Sequence, residues 1–345
     1  MHAVFPGSLY LMCFCMHNIL ALKIYQPALM DFITNLPTSL SCVILSEWIE
    51  WKDLTRLDSA FCNIVRRIEF LKLLQSKGCV VNDALYADEW DMVSWVAMRE
   101  IKVVRVNFGI SRPWCWCRLR NEPYVPIALK SYIQRNEKHV KELNVGDPDN
   151  NMCFNRMFHL FKHLAELSCT LPAHVETLTT NNPNLTSLIV LLHRYKGINT
   201  IPAHPVIPLL RRLEIYFSVV SHLSELYVLS LVRVTQCLQE LTVNSLHPIS
   251  TDTWMAVARH CPQLRGLHVD IWVFDDGILN AFTGLCSQLT TLHLQDTSGV
   301  TDEGVLCALK NLPLLRKLKL YDCTNVTNTT CNNIVEYGSR TLVAF

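Results

Sequence analysis

A six-residue apolar frame, L-x-x-L-x-L, recurs along this chain, and that recurrence confines it to a repeat architecture. "LRKLKL" fills the frame at Leu315, Leu318 and Leu320, and "LTTLHL" fills it at Leu289, Leu292 and Leu294. "LRGLHV" and "LQELTV" start at Leu264 and Leu238. Upstream, "LRRLEI", "LTSLIV" and "LAELSC" start at Leu210, Leu185 and Leu164, and a weaker "VKELNV" starts at Val140. Leu342 and Phe345 begin one more copy. The central apolar residues fall at 143, 167, 188, 213, 241, 267, 292, 318 and 345, in steps of 21 to 28 residues. A period of this size marks stacked supersecondary units, none of which can bury its apolar face alone.

The frame has a local reading. Side chains alternate along a strand, so the second and third apolar positions point the same way, into a core. The first belongs to the turn that enters the strand. The intervening residues leave room for a helix and two loops. In "VTDEGVLCALKNL", Thr301 is placed as an N-cap, with Asp302 and Glu303 in the first turn. Val305, Leu306, Leu309 and Leu312 then form the apolar stripe. "ISTDTWMAVARHC" repeats this design, with Ser250 or Thr251 as cap. Stacked strand–loop–helix–loop units give a parallel sheet on a concave side and helices on a convex side.

The residues between the apolar positions would then face solvent on the concave side. From repeat to repeat they are Glu240, Thr242 and Asn244; Gly266, His268 and Asp270; Thr291, His293 and Gln295; and Lys317, Lys319 and Tyr321. Their character drifts from acidic and polar to basic. That is a bipolar surface suited to a folded protein or a charged peptide.

Composition narrows the function classes. Half of the 345 residues are apolar, 18% are charged and the net charge is +1, which excludes a wholly disordered chain and lacks the basic surplus of a general nucleic-acid binder. "RPWCWCRLR" sets Trp114 and Trp116 among Arg112, Arg118 and Arg120. Such a patch can stack single-stranded bases, but one stretch in a neutral chain reads as packing with a solvated edge. The 15 cysteines include no CxxC pair and sit among leucines and valines, as reduced core thiols of a cytoplasmic or nuclear protein do. The N-x-Ser/Thr sequons at Asn184, Asn325 and Asn328 matter only in a secreted chain. Residues 8–24 are strongly apolar but short for a membrane span, and no Lys or Arg precedes Lys23. They read as an N-terminal extension packed on the next domain or as a misplaced gene start, with a membrane anchor as the alternative.

No catalytic, metal or cofactor constellation stands out. Phosphate-binding, dinucleotide-binding and nucleophile-elbow signatures do not occur. Cys115 with Cys117, and Cys13 with Cys15, lack the spacing of a structural zinc site. His159 and His163 would share one face of a helix, with Cys153 as the nearest further ligand, but the pattern is not H-E-x-x-H. The expectation is a non-enzyme with neither metal nor cofactor.

"HCPQLRGLHV", "LCSQLTTLHL" and "NLPLLRKLKLYDCTNVTN" resemble the cysteine-containing subfamily of leucine-rich repeats. Cys261, Cys286 and Cys323 fall on the family's cysteine positions, and Gly277 and Gly304 fall near its helix-start glycine. Residues 35–63 resemble an F-box. Leu36 and Pro37 open the segment, and Val43, Ile44, Leu45, Trp48 and Ile49 give a first apolar stripe. Asp53 and Leu54 restart a helix, with Asp53 as N-cap and Leu57, Ala60 and Phe61 on one face up to Cys62. "RRIEFLKLLQSKG" reads as a further helix stopped by Gly78.

The resemblance implies an α/β leucine-rich-repeat horseshoe solenoid preceded by a small α-helical F-box-like domain. The expected division is an apolar extension over 1–30, the F-box-like helices over 31–80, a linker or irregular first repeat over 81–135 and leucine-rich repeats over 136–345. In "IKVVRVNF", Val104 and Val106 would point inward. By resemblance, the chain is a substrate-recognition subunit of a cullin-RING ubiquitin ligase. Leu36, Pro37, Ile44, Leu54 and Leu57 would hold a Skp-type adaptor, and the concave face would hold the target protein. The alternative is an interaction scaffold outside the ubiquitin system, whose N-terminal helices only cap the solenoid. Leu342 and Phe345, inside the ninth frame, would expose an apolar end and favour self-association.

Overall fold

The computed structural model describes residues 33–60, 64–86, 90–107, 127–145, 155–169, 172–192, 206–217, 223–245, 248–338 and 342. The chain divides into two compact units, Met1–Glu142 and Leu143–Phe345. The N-terminal extension, the Trp114/Trp116 patch and the Cys13, Cys15, Cys115, Cys117 and Cys153 thiols lie outside the described residues, as do Phe61, Cys62 and Phe345. Among the described residues no helix is long and apolar enough to cross a membrane.

In the first unit, Pro37 sets up helix α1 (Thr38–Val43) by fixing its own φ at −53° and offering its carbonyl to the Leu40 and Ser41 amides. The helix widens into a single π turn, Ile44–Trp48. Helices α2 (Trp51–Ala60) and α3 (Ile64–Gln75) follow. Ile33, Ile44, Leu45, Leu54, Leu57, Phe70 and Leu74 form the core, each 2% exposed or less. Val43, expected in that stripe, is 39% exposed, because helical spacing puts Ser41, Cys42, Ile44 and Leu45 on one buried side and Val43 opposite them. Asp53 lies within the first turn of α2 instead of capping it, since the helix already begins at Trp51.

A buried carboxylate ties these helices to the next. Asp58 is 2% exposed and accepts from Arg67 Nε at 2.8 Å and Nη2 at 3.1 Å, from Trp95 Nε1 at 2.9 Å and from Arg99 at 2.7 Å. Arg99 also lies over the Trp95 ring, 5.0 Å from its centroid. Burial pulls the Asp58 carboxyl up, but these donors and charges outweigh it and leave it below its ordinary value.

The segment from residue 80 to 136 contains strand β1 (Val80–Tyr86), helix α4 (Trp90–Met98), strand β2 (Lys102–Asn107) and helix α5 (Ile127–Asn136). β1 and β2 pair in parallel, with one extra residue in β1 between Val81 and Ala84. Val81 lies beside Val103 and Leu85 beside Val106, so the inward pair of β2 is Val103 and Val106. Val104, expected inward, is only half-buried because the bulge breaks the alternation. Tyr132 of α5 is fully buried and donates to the Ile101 carbonyl at 2.5 Å.

The second unit is a leucine-rich-repeat solenoid of parallel strands and helices. After β3 (Glu142–Val145) come β4 (Glu166–Cys169), β5 (Ser187–Leu192), β6 (Arg212–Phe217), β7 (Glu240–Ser245), β8 (Gly266–Asp270), β9 (Thr291–Gln295) and β10 (Lys317–Tyr321). Strands β4 to β10 neighbour one another in sequence order, all parallel. Leu167, Leu188, Leu213, Leu241, Leu267, Leu292 and Leu318 stand side by side across them, each 1% exposed or less. The frame found in the sequence is therefore the register of the sheet. At the strand entrances a single carbonyl accepts two amides of the next strand: Gln239 takes Arg265 and Gly266, Arg265 takes Thr290 and Thr291, and Thr290 takes Arg316 and Lys317.

Helices α6 (Pro172–Asn181), α7 (Leu223–Arg233), α8 (Thr251–His260), α9 (Asp276–Leu285), α10 (Asp302–Asn311) and α11 (Asn328–Tyr337) follow strands β4, β6, β7, β8, β9 and β10 in turn. Ser250, Asp275, Thr301 and Thr327 cap the last four. Three of these caps, Ser250, Thr301 and Thr327, are themselves latched to the preceding helix. Asp276 accepts from the Thr301 amide and hydroxyl at 2.9 and 2.6 Å, and Asp302 accepts from those of Thr327 at the same two distances. Glu225 does the same for Ser250, at 2.9 and 2.7 Å. Each latch spans 25 residues.

Candidate partner-binding face

The outward face of β6–β10 follows from strand alternation. Glu240, Thr242 and Asn244 alternate with buried Leu241, Val243 and Ser245, and the same holds for Gly266, His268 and Asp270 on β8 and for Thr291, His293 and Gln295 on β9. On β10, Lys317, Lys319 and Tyr321 face out, with Tyr321 60% exposed. Register aligns these residues into rows. One row runs Glu240, Gly266, Thr291, Lys317; a second runs Thr242, His268, His293, Lys319; a third runs Asn244, Asp270, Gln295, Tyr321.

The middle row carries an aromatic contact. The His268 and His293 rings stack with centroids 3.9 Å apart and an angle of 22° between planes. Burial lowers the pKa of His268, and Lys319 adds to this against the pull of Glu214. Burial, then His268 and Lys319, lower that of His293, opposed by Asp270. The pair is therefore neutral at physiological pH. In the third row Asn244 donates to Asp270 Oδ2 at 2.5 Å. Burial raises the Asp270 carboxyl, and the Asp296 charge pushes the same way.

Strand β6 extends the face and was missed by sequence reasoning that began the outward set at Glu240. Arg212, Glu214 and Tyr216 stand in register with Glu240, Thr242 and Asn244. Glu214 points outward yet is only 8% exposed. Its Oε1 accepts from Arg212 at 2.8 and 2.5 Å, and its Oε2 accepts from the Tyr216 hydroxyl at 2.8 Å. Burial and that hydrogen bond push the Tyr216 phenol up to about 12. The signal was present as R-x-E-x-Y, which places three complementary groups on one face of a strand.

The drift from acidic to basic along the repeats is joined by a gradient along the strands. Exposed Arg265 and Arg316 precede β8 and β10, whereas Asp270, Asp296 and Asp322 lie at the far ends of the strands. Asp296 and Asp322 adopt the left-handed conformation, with φ of 53° and 50°. They border a hollow of about 530 Å³ together with Leu320, Cys323, Thr324 and Val326.

The five residues assigned to adaptor binding do not share one surface. Pro37 is exposed and Leu36 half-buried, while Ile44, Leu54 and Leu57 lie in the core of the first unit. The apolar side chains that α1 leaves exposed are Leu40 and Val43, at 38% and 39%.

Five of the described cysteines serve packing. Cys42, Cys79, Cys169, Cys261 and Cys286 are buried free thiols. Cys286 donates to the Cys261 carbonyl at 3.3 Å. Burial pushes Cys261 to about 12 and Cys286 to about 11, too high for a nucleophile. His159 lies in a short 3-10 helix, Asn155–Leu160, and His163 lies beyond its end, so they do not share the helix face expected of them. Among the described residues no group of three or more His, Cys, Asp or Glu could hold a metal ion.

No protein-family model matches the chain, and no curated protein does. Among solved structures it is similar to a chain of a TLR13–ssRNA13 complex, at 15% identity and a TM-score of 0.36, over 61% of this chain and 36% of that one. It is also similar to a chain of the yeast Rad7–Elc1 complex, at 10% identity and a TM-score of 0.38, over 97% of this chain and 79% of that one. The chain thus spans little more than a third of the TLR13 chain.

Proposed function

We propose that this chain is a non-catalytic receptor that binds a partner protein on the outward face of β6–β10 and presents it, through its N-terminal helices, to a Skp-type adaptor of a cullin-RING ubiquitin ligase. The observation that carries the receptor reading is the register-aligned rows of polar and charged side chains on strands whose opposite face is buried through β9 and, on β10, at Leu318. Such a face offers shape and charge to a partner without disturbing the core. The ligase reading rests on the F-box resemblance of residues 35–63. Its adaptor contact runs through Leu36, Pro37, Leu40 and Val43, with Ile44, Leu54 and Leu57 holding those helices in place. The buried free thiols fit a reducing compartment, the cytosol or nucleus.

The burial of Ile44, Leu54 and Leu57 favours a second reading, in which the N-terminal helices are structural and the chain is an interaction scaffold with no ubiquitin role. Affinity capture of the full chain under mild crosslinking, with mass spectrometry, separates the two. The receptor reading expects a target crosslinked to β6–β10 and an adaptor lost in Leu40→Asp/Val43→Asp. A target captured without any adaptor would leave the scaffold; no target crosslinked to the face would sink both.

A further inference from the structure

We propose that the β8–β10 part of the outward face binds an acidic segment of the partner polypeptide, with carboxylates seated along His268, His293 and Lys319, and that this binding takes up protons. The inference rests on the receptor reading above and names the chemistry of what it receives.

Charge complementarity carries it. From the strand entrances to the middle row, β8–β10 present Arg265, Arg316, Lys317, Lys319 and the two histidines, and no carboxylate. None of the four permanent cations has an ion-pair partner among the described residues, in contrast to Arg212, which Glu214 neutralises two strands before β8. A partner that brings carboxylates supplies the missing counter-charges. Asp270, Asp296 and Asp322 close the far side of the same face. They repel an acidic segment there and confine it to the first and middle rows.

The stacked histidines make the surface proton-linked. His268 faces Thr242 on β7 and His293 on β9, with Glu214 on β6 and Lys319 on β10 as the charges it senses. His293 lies between His268 and Lys319, with Asp270 and Lys317 on the flanking strands. Two rings at 3.9 Å beside a lysine resist protonation while the face is empty. A carboxylate placed against them reverses the balance, so a proton enters with the ligand.

The test titrates the full chain with a synthetic oligoglutamate peptide, and separately with oligolysine, at low salt by calorimetry. Oligoglutamate is expected to bind about five- to tenfold tighter at pH 6.0 than at pH 7.5, the effect of one added charge at contact distance. The binding enthalpy should vary with buffer ionisation enthalpy in the sense of proton uptake. His268→Gln/His293→Gln should abolish the pH dependence and retain binding at the higher pH, whereas Lys317→Gln/Lys319→Gln should weaken binding at both. Tighter oligolysine binding, equal affinity at both pH values, or pH dependence that survives the double histidine change would each overturn the proposal. These outcomes are independent of the capture experiment: a target that crosslinks to the face while oligoglutamate fails leaves the receptor reading standing and removes only this one.

Discussion

His268 and His293 are register partners on β8 and β9, and the pairing places one imidazole on the other. Burial lowers both pKa values below the ordinary 6.5. The unfolded chain therefore binds protons at a pH where the folded chain does not, and stability falls as pH drops below about 6.5. The loss levels off once the folded histidines have also titrated. Thermal unfolding between pH 7.5 and 5.5 should show this decline, and His268→Gln/His293→Gln should flatten it. An unchanged slope in the variant would assign the decline to other groups.

Asp58 is the group whose removal should damage the first unit most. Asp58→Ala leaves Arg67 and Arg99 without their shared acceptor and should cost ~3–5 kcal/mol, as broken buried ion pairs do. Trp95→Phe removes one charge-assisted hydrogen bond and should cost ~1.5–3 kcal/mol. The Asp58 carboxyl titrates below its ordinary 3.8, so its contribution is complete above that value and is lost as pH falls below it. Hydrogen exchange of residues 51–98 measures both changes, and protection there should drop while that of β8–β10 holds.

Leu292 and Thr291 are neighbours on β9 with opposite fates. Leu292→Ala should cost ~2–5 kcal/mol, as buried leucine truncations do. Thr291→Ala, on the outward face, should stay within about 0.5 kcal/mol. Denaturant titration of the two variants checks the register: comparable losses would mean that the strand is turned over.

Gly304 is buried against the Asp276 carboxylate, and a Cβ at this position would overlap that group. Gly304→Ala should therefore break the latch from Asp276 to Thr301. Thr301→Ala removes the hydroxyl half of the latch and the cap to the Glu303 amide together, leaving the amide bond to Asp276, and should cost ~1–2 kcal/mol. In the double variant the losses should fall short of their sum by ~0.5 kcal/mol or more, since both act on one contact. Strict additivity in urea unfolding would show that the glycine serves some other purpose.

The repeat was legible because its signal is strict: leucines at fixed offsets became the stacked leucines of the sheet. The position three residues before each frame was only half legible. It is Cys261 and Cys286 in two repeats, which resemblance identified, but Phe161, Asn182, Ile207, Thr235 and Leu312 in others, all buried. What that site requires is a side chain of moderate size that carries no unsatisfied polar atom. Asn182 meets the requirement by donating to the Phe161 and Leu178 carbonyls at 2.9 and 2.8 Å, so its polarity hid the equivalence. The strands at 80–107 were obscured by the bulge after Val81, which removes the period-two pattern. On the outward face, alternation identified which residues point out. It could not show that Glu214 is consumed by Arg212 and Tyr216, because that depends on side-chain reach and not on spacing.

The latches that join Glu225 to Ser250, Asp276 to Thr301 and Asp302 to Thr327 also define the increment by which such an array can be lengthened. A duplicated segment of one full period supplies a new acid for the hydroxyl ahead of it and a new hydroxyl for the acid behind it. The copy docks with its cap amide and one first-turn amide already matched. An insertion of any other length sets an acid opposite a residue that cannot answer it and strands a helix cap beside it. Variation in this lineage is therefore expected to come as whole repeats, or to be confined to loops that lie between the latched positions.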